Sequence, residues 1–86
     1  MPNKYQKQLI EVLVRLGFGE DIVEVIVGGL KDKYLTIFMT DYLQDYPTRD
    51  RQKLMRAFAE ILKKNSAEPN FFKEAYLESQ KVLSEN

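Results

Sequence analysis

The chain has 86 residues, 44% of them hydrophobic and 30% charged, with basic and acidic residues in equal number. That length holds one hydrophobic core, so residues 1–86 read as a single helical domain, and the ordinary balance of apolar and charged residues excludes wholesale disorder. Cysteine and histidine are both absent, which excludes disulfides and thiolate metal sites and removes the usual general base near neutral pH and the commonest metal ligand.

The first predicted helix runs from Tyr5 to Leu16, with Tyr5, Leu9, Val12, Leu13 and Leu16 at helical spacing and Lys4, Lys7, Gln8, Glu11 and Arg15 largely opposite. Gly17 suits the left-handed position that closes a helix, and Phe18 is placed to fold back onto Leu13. The second segment, Glu20 to Val27, opens with two acids where a helix dipole favours them, and Ile22, Val25, Ile26 and Gly29 share one helical face. Five of the six residues from Ile22 to Val27 are β-branched, however, which also suits a strand. A short helix is the preferred reading, ended by Gly28 and Gly29. The third segment, Leu30 to Tyr46, carries Leu35, Phe38, Met39, Tyr42 and Tyr46 at a 3.6-residue period, too long a pattern for an ordinary strand. The expected fold is therefore all-α, a small bundle of four to five helices. The fallback is α+β, with a short hairpin over about residues 22–40.

Pro47 ends the third helix, because the residue before a proline avoids helical dihedrals. Thr48 is the expected N-cap of the fourth, with Asp50 in its first turn. Leu54, Met55, Phe58, Ile61 and Leu62 form the clearest apolar stripe in the chain. Asn65 is the expected cap at its end, followed by a turn over Ser66–Asn70. The last helix, Phe71 to Leu83, is expected to bury Phe72, Ala75, Tyr76, Ser79 and Leu83, with Ser84 to Asn86 fraying.

Charge comes in blocks. Residues 1–19 carry net +2, residues 20–46 net −4, residues 47–65 net +4 and residues 66–86 net −2. In the basic block, Arg49, Lys53, Arg56 and Lys63 fall roughly on one exposed helical face, a pattern able to neutralise nucleic-acid phosphates. The zero total charge and Glu60 favour a solvated face over a nucleic-acid site. Asp41 and Asp45, four residues apart, could share a cation only with further ligands, and no stretch has the alternating oxygen donors of a calcium loop. Gly28-Gly29-Leu30-Lys31-Asp32 matches no phosphate-binding loop. Leu16-Gly17-Phe18, followed by Glu20-Asp21, resembles the first turn of ubiquitin-associated-type three-helix modules. That likeness implies a helix–turn–helix at this point and spans residues 9–43 at most. Ubiquitin binding is not carried over from it.

These readings point away from an enzyme and toward a small protein-interaction or regulatory module that binds a protein partner or itself. Tyr34, Tyr42, Tyr46, Arg49 and Lys53 are the expected contact residues, since tyrosine and arginine are favoured interface anchors. The alternative is nucleic-acid binding through Arg49, Lys53, Arg56 and Lys63. No cofactor, metal, small-molecule substrate or membrane insertion is expected, and the cysteine-free composition suggests a cytoplasmic setting.

Overall fold

The computed structural model describes residues 1–85 and contains five α-helices: α1 (Lys4–Arg15), α2 (Glu20–Gly29), α3 (Lys33–Asp45), α4 (Arg51–Ala67) and α5 (Phe71–Glu85). No strand occurs among the described residues, so the all-α bundle stands and the hairpin alternative falls. No described helix is long and apolar enough to cross a membrane.

Each helix end has a local cause. Asn3 caps α1 by accepting a hydrogen bond from the Gln6 amide, while the Gln6 side chain accepts one from the Asn3 amide. At the other end Gly17 adopts φ +94°. The Gly17 amide then donates to the Val14 carbonyl and the Phe18 amide to the Leu13 carbonyl, closing a Schellman motif. Phe18 packs against the core beneath it. The three helices of residues 4–45 thus include the helix–turn–helix that the Leu16-Gly17-Phe18 motif suggested.

The β-branched run of α2 is helical because Ile22, Val23 and Ile26 all enter the core; tertiary burial outweighs a weak local preference. Two details differ from the sequence reading. Val25 points outward, and the two glycines belong to the last turn of α2. Gly29 has a packing role there. A β-carbon on it would lie 3.0 Å from Cε1 of Phe58 and closer still to Cζ, so its bare backbone is what lets α2 approach α4. The chain breaks afterwards, at Leu30–Asp32, where the Asp32 carboxylate accepts from the Tyr34 amide and starts α3.

α4 also begins later than expected. Asp50 is the cap, accepting from the Gln52 and Lys53 amides at 2.8 and 3.3 Å, while the Thr48 hydroxyl accepts from the Asp50 amide. A carboxylate is the stronger acceptor at a helix's positive end, which explains the order. α4 continues through Asn65 and Ser66 to Ala67, past the expected turn.

The core consists of Leu9, Val12 and Leu13 of α1, Ile22, Val23 and Ile26 of α2, Leu30, Leu35, Met39 and Leu43 around α3, Leu54, Phe58 and Ile61 of α4, and Phe72 of α5. α3 is central: it packs on α1, α4 and α5. α5 is peripheral. Only Phe72 is buried from it, Tyr76 is half-buried, and Ala75, Ser79 and Leu83 are exposed, contrary to the sequence expectation. The ring pairs Phe38–Phe72 and Tyr34–Tyr76 show why, because α5 runs antiparallel to α3 and its later turns pass beyond the start of α3. The Cα radius of gyration, 13.0 Å, exceeds the ~12 Å expected of a sphere-like domain this size, consistent with that overhang. Ser84 and Glu85 remain helical, and Asn86 lies outside the described residues.

Candidate functional site

The surface feature that needs explaining lies on α3. The 3.6-residue period places Leu35, Met39 and Leu43 inward, but their neighbours in the core are Thr36 and Thr40, not aromatics. The threonines are tolerated because each hydroxyl finds a carbonyl. The Thr36 hydroxyl donates toward Asp32 O at 3.2 Å and Leu30 O at 3.3 Å, and the Thr40 hydroxyl donates to Thr36 O at 2.8 Å. With two polar residues satisfied inside, Phe38 and Tyr42 are displaced toward the surface, between a half-buried Tyr34 at the start of α3 and Tyr46 at its C-cap. That outcome corrects the expectation that Phe38 and Tyr42, at helical spacing from Leu35 and Met39, are core residues, whereas Tyr34 and Tyr46, at the ends of the segment, are partly exposed as their positions suggest.

These four aromatics, spaced four apart, make a row along α3. α5 covers its beginning, where Tyr34 packs at a tilt against Tyr76 at 5.4 Å between ring centroids and Phe38 meets Phe72 edge-on at 4.9 Å. Beyond α5 the row is open. Tyr42 and Tyr46 pair at 5.3 Å, and Tyr46 is 67% exposed.

A cleft lies on each side of this row. The larger, of about 560 Å³, is enclosed by α3, α4 and the start of α5. Phe38, Tyr42, Ala57, Ile61, Phe71 and Phe72 give it an apolar lining, and Lys53, Arg56, Glu60 and Lys64 its charged rim. Lys53, Arg56, Glu60 and Lys64 recur at three- and four-residue intervals, so they line one edge of α4. Lys64 is held in place twice, by Glu68 at 3.2 Å and over the Phe71 ring at 4.5 Å. The smaller cleft, of about 400 Å³, lies between α3 and α5. Its lining joins Tyr34, Ile37, Phe38, Tyr42, Tyr46 and Tyr76 to two acids, Asp41 and Asp45. Partial burial, reinforced by the neighbouring Asp45 charge, raises the Asp41 carboxyl above the ordinary aspartate value. Phe38, Tyr42 and Phe72 line both clefts and form the wall between them.

Among the described residues no three acidic, cysteine or histidine side chains converge as metal ligands would, and Asp41 and Asp45 stand without a third donor. No histidine lines either cleft, and among the described residues the side-chain hydrogen bonds of the lining run from the Ser79 hydroxyl to the Tyr76 carbonyl and from the Lys64 ammonium to Glu68.

Of the expected contact residues, Tyr34, Tyr42 and Tyr46 line the acidic cleft, Tyr42 and Lys53 line the basic one, and Arg49 lies outside both linings in the α3–α4 connection. The basic quartet divides. Lys53 and Arg56 share the larger cleft, while Arg49 and Lys63 line neither. The third cation of that cleft is Lys64, which helical spacing from Lys53 and Arg56 through Glu60 could have identified. Phe72 is buried and Phe71 partly exposed, as the periodicity of α5 suggests, but periodicity does not report that both, with Phe38 of α3, also wall a cleft. The chain matches no protein-family model, no curated protein and no solved structure.

Proposed function

We propose that this chain is a non-enzymatic protein-interaction module and that its contact surface is the aromatic row of α3 with the two clefts beside it. One observation carries the reading: an exposed aromatic ridge runs between a cationic cleft and an anionic one, all on one face of a small domain. Aromatic rings supply large contact area at little conformational cost, and opposed charges on either side fix how a partner is oriented. Clefts of a few hundred Å³, open and walled by rings, suit the protruding side chains of a protein surface. A regulatory role would follow if the partner's activity depends on this contact.

The test is site-specific photocrosslinking in the native host. A photoreactive phenylalanine analogue in place of Tyr46 should give discrete protein adducts that disappear when Tyr42→Asp is added. The same analogue in place of Val25, exposed on α2 and outside both clefts, should not give them. Identical adducts from both positions, or none from Tyr46, would count against the reading.

A nucleic-acid reading draws on Lys53, Arg56 and Lys64 beside aromatic rings, a combination that suits single strands. It is the weaker reading, because Asp41 and Asp45 on the same face repel phosphate and the chain carries no net positive charge. A gel-shift series at low salt decides it: retardation that falls steeply with added salt would favour this reading over the first.

A further inference from the structure

We propose that the partner of this face is the same face of a second copy of the chain; this rests on the interaction reading above and names its occupant. The argument begins with charges left without local partners. Among the described residues the one ion pair within 4 Å is Lys64–Glu68. Lys53 and Arg56 on one side of the Phe38–Tyr42–Tyr46 row, and Asp41 and Asp45 on the other, therefore face outward uncompensated. Cations predominate on one side, where Glu60 is the one acid among Lys53, Arg56 and Lys64, and the other side holds only acids, of which Asp41 and Asp45 already repel one another enough to help raise the Asp41 carboxyl. A surface arranged so is relieved when opposite charge is brought to each side.

Symmetry says which surface does that. Two copies meeting face to face are related by a two-fold axis lying in the plane of contact. If that axis runs across the aromatic row, basic side meets basic side. If it runs along the row, each copy's Lys53 and Arg56 come to the other's Asp41 and Asp45, twice over, and the two aromatic rows meet at the centre. The first arrangement is repulsive and the second attractive, so the charges select a single isologous pairing. Tyr46, the most exposed ring of the row and at its open end, becomes an anchor that meets its own counterpart. The zero net charge of the chain adds no overall repulsion between copies.

The pairing predicts a charge-swap experiment. Sedimentation velocity of the native chain, from micromolar to millimolar concentration at low salt, should show a monomer–dimer equilibrium that shifts toward monomer as salt is added. The doubly reversed chains D41K/D45K and K53E/R56E, altered only at exposed positions, should keep native helical circular dichroism, and each alone should dimerise at least ~tenfold more weakly. Mixed in equal amounts they should recover the dimer as a one-to-one pair, because all four contacts then join opposite charges. Tyr46→Ala provides a second, uncharged probe and should also weaken the dimer. A native chain that stays monomeric throughout, a dimer indifferent to both reversals, or a mixture that does not recover pairing would overturn the proposal. A monomeric native chain whose Tyr46 position still crosslinks to a different protein would remove self-pairing and leave the interaction reading intact.

Discussion

The body formed by α1–α4 and the appended α5 are built on different terms. Thirteen of the fourteen core hydrophobics come from residues 9–61, where fully buried Leu9, Leu13, Ile26, Leu30, Met39, Leu43 and Leu54 interlock. α5, about as long as any helix in the body, adds Phe72 alone and leaves Leu77, Val82 and Leu83 in solvent. Burial is what holds a short helix in place, so the body defines the fold, and α5 is attached mainly through rings. What α5 gains by lying on α3 is the wall of two clefts. The lesson is that the fifth helix serves the surface more than the core.

The contrast can be broken at its strongest point first. Leu54→Ala removes a side chain with no solvent exposure from the centre of the body and should lower unfolding stability by about 3–5 kcal/mol in a single cooperative transition, measured by urea denaturation. Phe72→Ala should cost less, about 3 kcal/mol at most, and the loss should be local. Native-state hydrogen exchange should quicken across α5 while the α1 amides keep most of their protection; equal acceleration in both would erase the distinction between body and appendage. Gly29→Val tests the close approach of α2 to α4 and should cost about 1–3 kcal/mol through displacement of Phe58, seen as a lowered melting temperature.

The smallest expected effect concerns pH. The folded Asp41 carboxyl titrates above its unfolded value, so the native state holds the proton more tightly. Its contribution to stability is therefore most favourable below the ordinary aspartate pKa and is lost as pH rises through the raised one. Asp41→Asn should make the chain slightly more stable at neutral pH and leave it unchanged in acid, a difference that thermal melts across the carboxylate range would detect.

Much of the fold was legible in the sequence for physical reasons that operate locally. Gly17 and Phe18 announced the end of α1 through a motif only a left-handed residue can close, and the stripe from Leu54 to Leu62 marked α4. The capping box of Asn3 and Gln6 is local in the same way. Two things were not readable. Thr36 and Thr40 look like surface residues until their hydroxyls are seen bonded to carbonyls one turn earlier, so the inward face of α3 was placed too close to its aromatics. The face of α5 is amphipathic along its whole length, and periodicity does not report that the helix outruns the body it packs on. The same two gaps hid the clefts. Tyr34, Tyr42, Tyr46 and Lys53 stand out in the sequence as aromatics and a cation, but what joins the tyrosines is one side of α3, and Lys53 reaches that face from α4.

That exposed side is best interrogated by a dilution series of two-dimensional amide NMR spectra on the native chain at low salt. The signals of Phe38, Tyr42, Tyr46, Lys53 and Arg56 should move together with concentration and fit one dissociation constant, while those of Val14 and Val25, exposed on α1 and α2, stay fixed. Spectra that do not change with concentration, or changes centred on α1 and α2, would contradict the assignment of this face as the site where two copies of the chain meet.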